Sequence, residues 1–281
     1  MQQSSITPNM GGMILCIFYF LFSQELPAQS VDWLVSLDKA QERAVSENKL
    51  ILADFWAFWC GPCLAMDHQV WNQAPVRSAS QRVVPLRLDF DKEFLLNNRY
   101  GITEIPAMLI LDGYGNKLFH ISGYKSVEEM SSVLKSLPSN LKPVYGLIGR
   151  SLSSPDSTEL IRAIADQYQL LNVPQVSNKY YDEFLASEHR IDEPMTRYRI
   201  YSRMALNYHL IGKQGEASDL LEECIENDVE SPDRPMQLFL LTKISLLNDD
   251  EDQAVEYFEL LKSEFPDDKH STWAAGLFKQ E

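Results

Sequence analysis

Residues 50–56 read LILADFW, a nearly unbroken apolar run interrupted by a single charge. Such a run suits a central strand covered on both faces, and covering both faces takes helices on either side of the chain's first sheet. The neighbouring residues supply them. Residues 33–49 place Leu37, Ala40 and Ala44 at helical spacing, and a second helix is expected from about Gly61. Residues 83–88 and 107–111 (AMLIL) are further strand candidates, with a helix over 92–100 between them. Asp112, Gly113 and Gly115 mark a hairpin turn into a strand at 117–121, and a helix over 127–137 closes the unit. This order predicts an α/β unit with a mixed central sheet and helices on both faces.

The pattern changes after that unit. Residues 136–157 (SLPSNLKPVYGLIGRSLSSPDS) hold three prolines, two glycines and six serines, and the stretch 138–157 reads as a linker. Beyond it every segment looks helical. A 34-residue frame laid over 198–231 puts Tyr201, Met204, Ala205, Tyr208, Gly212, Ala217, Leu221, Cys224 and Ile225 at the signature positions of a tetratricopeptide repeat. A second frame at 235–268 offers Leu238, Leu241, Ala254, Phe258 and Pro266, and a degenerate one at 158–191 offers Ala165, Tyr168 and Tyr181. Residues 271–280 read as a capping helix. The region 158–281 thus resembles an all-α, tetratricopeptide-like array. Stacking of apolar faces explains such an array, and a concave face for a peptide or protein ligand is an optional addition.

The chain of 281 residues carries a net charge of -15, and 45% of its residues are hydrophobic, enough to bury a core. Acidic residues outnumber basic ones 13 to 11 over 31–140 but 26 to 14 over 141–281. That sign excludes a general nucleic-acid binder and fits a soluble surface. At the N-terminus, residues 13–22 (MILCIFYFLF) are ten apolar positions in a row, too few for a stable membrane span. They fit the apolar region of a cleavable export signal over 1–28, with Ala28 before the cleavage point, which predicts an exported, periplasmic protein. A buried strand and an uncleaved anchor are the competing readings.

Residues 54–63 read DFWAFWCGPC. Taken alone, Cys60 and Cys63 could form a zinc half-site, a structural disulfide or a redox pair. Zinc would need two more ligands, and His68, His120, His189, His209 and His270 show no paired spacing, so no metal and no cofactor are expected. The motif resembles the active site of the thioredoxin family, and the resemblance covers residues 31–137. Ile105-Pro106 falls just before the hairpin, where the family carries its cis-proline, and Gly123 follows the last strand as the family's groove glycine does. Met66-Asp67, with Val70 and Trp71 beyond, is similar to a bacterial group within it.

The resemblance implies a thioredoxin fold and a thiol-disulfide oxidoreductase. Cys60, at a helix N-terminus that favours the thiolate, would be the attacking sulfur, and Cys63, one turn later, the resolving sulfur. Asp54 would be the buried acid relaying a proton to or from Cys63. Trp59, Ile105, Pro106 and Gly123 would form the substrate groove. Where the family often has a lysine beside the acid, this chain has Pro85, with Arg87 two residues on, so Asp54 is expected to lack its cation. The implied partners are protein disulfides and an electron donor or acceptor, and Gly61-Pro62 resembles the reducing members. A different class of function remains open: a redox-silent module in which the repeats recognise a partner. Cys224, on a face with Ala217, Leu220, Leu221 and Ile225, reads as a core thiol.

Overall fold

The computed structural model describes residues 30–187 and 194–279. The expected export signal at 1–28 lies outside them. Residues 31–36 form no helix and bridge the sheet at Leu34–Leu86. Helix α1 (Leu37–Glu47) therefore starts later than the apolar spacing from residue 33 suggested, at a cap where Ser36 Oγ accepts from the Lys39 N–H. Strand β1 (Leu50–Trp56) follows, then α2 (Gly61–Met66), a π-helical turn (Asp67–Trp71) and α3 (Ala74–Ser80). Next come β2 (Val83–Asp89), α4 (Phe94–Tyr100), β3 (Ala107–Leu111), β4 (Lys117–Ser122) and α5 (Val127–Ser136), the last opened by a capping box of Ser126 and Glu129.

The sheet order is β2-β1-β3-β4. β1 runs parallel to β2 and antiparallel to β3, and β3 pairs antiparallel with β4, the mixed sheet expected. Alternation along β1 sorts its two faces. Ile51, Ala53 and Phe55 pack with Ala40 and Ala44 of α1 and Tyr100 of α4. Leu50 and Leu52 pack with Met66, Val70 and Trp71 and with Met130 and Leu134 of α5. Asp54 follows Leu52 on that second face, the one covered by the helix that begins at the cysteines.

The stretch 138–157 is not a loose linker. It carries α6 (Lys142–Ser153), which buries Val144, Tyr145 and Ile148 together with Leu141 in the core of the sheet's second face. The spacing i, i+3, i+4, i+7 of these four residues is helical, but Pro143, Gly146 and Gly149 masked it. The same core takes Ile164 and Tyr168 from α7 (Thr158–Leu170) and Val176 from α8 (Pro174–Ala186), so sheet and helical array share one interior.

The array continues with α9 (Pro194–Leu210), α10 (Gln214–Asn227), α11 (Arg234–Leu247), α12 (Glu251–Glu264) and α13 (Lys269–Leu277). Its three helix pairs turn in the same way. Asn172, Gly212 and Asp249 adopt positive φ of 57°, 80° and 58°, each two residues before the second helix of its pair. The next N–H then reaches back to close the first helix: Val173 to Tyr168 O, Lys213 to Tyr208 O and Asp250 to Ser245 O, all at 2.9 Å. Counted from these turns, Ala165, Ala205 and Thr242 are equivalent, as are Ser177, Ala217 and Ala254, and all six are fully buried where the helices approach. Cys224 is buried beside Ser202 Oγ and Tyr198 O, and burial pushes its thiol up to about 11. No helix among the described residues is long and apolar enough to cross a membrane.

Candidate active site

β1 delivers the cysteines. After Trp56 the chain leaves the sheet, and Cys60 becomes the N-cap of α2, its Sγ accepting from the Cys63 N–H at 3.2 Å. Pro62 sits in the first turn, where a missing N–H costs no hydrogen bond. Cys60 and Cys63 are joined as a disulfide with Cα atoms 5.2 Å apart. Both are almost buried, at 4% and 2% exposure, in a cluster with Ala57 against Trp56, Phe90 and Ile105.

The other residues singled out in the sequence meet at the same end of the sheet. The Ile105-Pro106 peptide is cis, and Pro106 O accepts from the Gly123 N–H at 2.8 Å. Gly123 has φ of 74°, a conformation that side chains disfavour. Trp59 lies 56% exposed, its indole N–H donating to Asp91 at 2.8 Å. Phe58, Leu64 and Tyr124 are exposed too, and each is the chain neighbour of a residue already singled out: Trp59, Cys63 and Gly123. Adjacency to the motif was the signal that could have found them.

Asp54 is 2% exposed in the middle of β1, between Arg87 on β2 and Met108 on β3. The absence of a cation expected from Pro85 is overturned. Pro85 stands opposite Leu52, whereas Arg87 stands directly opposite Asp54. Its Nη2 and Nε donate to Asp54 Oδ2 at 3.1 and 3.2 Å. Residues two apart on a strand share a face, so a cation at either position can reach the acid. Arg87 Nη2 also bonds Asp67, the first residue of the π-helical turn. The guanidinium carbon lies over the rings of Trp56 and Trp33, 4.7 and 5.0 Å from their centroids. Burial pushes Asp54 up to about 6, against the pull of Arg87 and with a small addition from the charge of Asp67.

This arrangement can hold a proton on Asp54, on the face of β1 that the cysteine helix covers. Among the described residues no group of His, Cys, Asp and Glu could hold a metal ion.

The first half of the chain is similar to known proteins. A family described as "Thioredoxin-like domain" matches residues 37–138. Thioredoxin-1 of Drosophila yakuba is 34% identical over 110 residues, covering 38% of this chain and 98% of its own. Thioredoxin of Alicyclobacillus acidocaldarius is 30% identical over 93 residues, covering 33% of this chain and 86% of its own. Among solved structures, the oxidised C-terminal domain of Neisseria meningitidis DsbD aligns with 35% of this chain and 87% of its own, at 20% identity and a TM-score of 0.32.

Proposed function

This chain belongs to the thioredoxin family and is a thiol-disulfide oxidoreductase, and from that premise we propose that it reduces disulfides of exported proteins. The observation that carries the reading is the Cys60–Cys63 disulfide, closed between the cap and the first turn of α2 against Ile105. In the reduced protein the N–H groups at the start of α2 favour the Cys60 thiolate. It attacks one sulfur of a substrate disulfide, forming a Cys60–substrate bond and expelling the other sulfur as thiolate. Cys63 then loses its proton to the Asp54 carboxylate and attacks Cys60 Sγ. That step restores the Cys60–Cys63 disulfide and releases the second substrate sulfur. Two electrons pass from the dithiol to the substrate, the two substrate thiolates take up protons from solvent, Asp54 returns its proton to solvent, and an external dithiol re-reduces the pair. Trp59, Ile105, Pro106 and Gly123 would line the docking groove, with a substrate strand pairing to the backbone beside Cys60.

The reductive direction is supported by Gly61-Pro62 between the cysteines and by the name thioredoxin that the relatives bear. Residues 31–137 would be the redox unit and 158–281 a tetratricopeptide-like array, a reading supported by its three equivalent turns. A ligand for the array is not part of this reading, because burial already accounts for its stacking. Export rests on residues 13–22 and Ala28. Protein from the source cell should begin near Gln29 by N-terminal mass spectrometry, and an intact Met1 in a cytoplasmic fraction would refute it.

The redox-silent alternative is disfavoured by the complete cysteine pair. Insulin reduction by dithiothreitol separates the two. Catalysed precipitation by the native chain, lost in Cys60→Ser, is the expected result, and equal rates with and without the native chain would overturn the enzyme reading.

A further inference from the structure

Arg87 was not among the residues that the motif marks, yet three elements converge on it. Backbone bonds fix its position. Leu34 N–H donates to Pro85 O at 2.9 Å, and Arg87 N–H donates to Leu34 O at 2.8 Å, which lays Leu34 along β2. That places Trp33 over the guanidinium, while Trp33 meets Trp71 of the π-helical turn edge-on, ring centroids 5.1 Å apart. From β1 come Asp54 and the ring of Trp56. From the turn comes Asp67.

We propose that Arg87 is a positioning residue of the thiol-disulfide reaction: it holds the Asp54 carboxylate while bridging it to Asp67, on the element that continues the cysteine helix. The side chain of Arg87 is 18% exposed, that of Asp67 25% and that of Asp54 3%, so one cation serves an inner and an outer carboxylate. A guanidinium does this through its fork of donors and can lie flat on indoles, whereas an ammonium is a single point of charge. The shared fork has a kinetic meaning. A carboxylate with a cation to itself would stay ionised and be a poor proton carrier, and one with none would stay protonated and be unable to accept. Arg87, divided between two acids, leaves Asp54 able to do both near neutral pH.

The charges acting on Asp54 come from Arg87 on β2 and Asp67 on the turn, while β3 sets the uncharged Met108 opposite it and residues 31–36 bring Trp33 to Arg87. In the resolving step Cys63 S–H gives its proton to Asp54, the new Cys63–Cys60 bond forms, and the Cys60–substrate bond breaks with its electron pair on the substrate sulfur. No further reactant enters.

This inference rests on reading Asp54 as the proton carrier, and the test keeps the two apart. The full chain with Arg87→Met, Arg87→Lys, Asp67→Asn and Asp54→Asn would be followed in single-turnover reduction of a peptide disulfide from pH 5 to 9. In parallel, the Asp54 carboxyl would be titrated by 13C NMR in the oxidised protein. Arg87→Met should move both the kinetic inflection and the Asp54 titration upward by a unit or more. At pH 7 a shift of one unit lowers the ionised fraction, and the rate with it, about twofold, and a shift of two units about tenfold. Arg87→Lys should recover part of the shift. Asp67→Asn, which removes a repelling charge and leaves Arg87 to Asp54 alone, should move both downward. If Arg87→Met does not fold, this opposite shift in the more exposed Asp67→Asn still decides. An unmoved Asp54 titration in every folded Arg87 and Asp67 variant, with the profile altered in Asp54→Asn, overturns the role of Arg87 alone. A kinetic profile unchanged by Asp54→Asn overturns the proton carrier and the role of Arg87 with it.

Discussion

Two aspartates are buried in this domain, one within the sheet and one beyond its end, and they are held by opposite means. Asp54, toward the cysteine end, has a cation that it shares with Asp67. Asp112, just after β3, is fully buried and is held by neutral donors. It accepts from the N–H groups of Tyr114 and Asn116 at 2.8 Å, from Asn116 Nδ2 at 2.7 Å and from the Tyr168 hydroxyl. Around it the Tyr145 hydroxyl accepts from Gly113 N–H and donates to Lys49 O, both at 2.8 Å, and Lys179 Nζ reaches Asn116 at 2.7 Å. Gly113 is needed there, since a Cβ would come within 2.6 Å of Val45 Cγ2. A carboxylate saturated by four fixed donors is a fastening. It joins hairpin, α7 and α8 at the end of the sheet away from the cysteines. A carboxylate facing one shared cation in an apolar wall is poised to change its charge.

The largest expected effect breaks the fastening. Asp112→Ala strands the Tyr168 hydroxyl and two backbone donors, and should cost about 4 kcal/mol of stability in urea denaturation. Insulin reduction per folded molecule should stay unchanged. A loss below about 1 kcal/mol, or a loss of turnover in the folded fraction, would erase the distinction between the two ends.

The second effect is one of pH. Asp54 is pushed up from 3.8 to about 6 in the folded protein, so the folded state binds the extra proton between those values. Its contribution is fully present below about pH 4 and is lost as pH rises through 6, about 3 kcal/mol in all. Asp54→Asn should flatten that slope, measured by urea denaturation of the oxidised protein from pH 3.5 to 7.5. A slope that persists in the variant belongs to another group.

Much of the redox end was legible because its signals are local. WCGPC puts a sulfur at a helix start, Ile105-Pro106 stands before a hairpin, and LILADFW announces a strand covered on both sides. The fastening end was not, because its parts are distant in the chain. Asp112 read as a turn residue, and nothing near it points to Tyr168, 56 residues on. Helix α6 hid behind Pro143, Gly146 and Gly149, which normally mark loops but here lie in a helix anchored by Leu141, Val144, Tyr145 and Ile148. Arg87 is not legible as the partner of Asp54 because the family's lysine position falls two residues earlier, at Pro85. Strand register settles such a question, and register is a property of the pairing of β1 with β2.

The central claim is that Cys60 attacks and Cys63 resolves. Cys63→Ser, incubated reduced with a protein disulfide substrate and quenched with acid, should accumulate a mixed disulfide mapped to Cys60 by mass spectrometry, while Cys60→Ser should trap little. Adducts formed mainly by Cys60→Ser, through Cys63, would contradict the account.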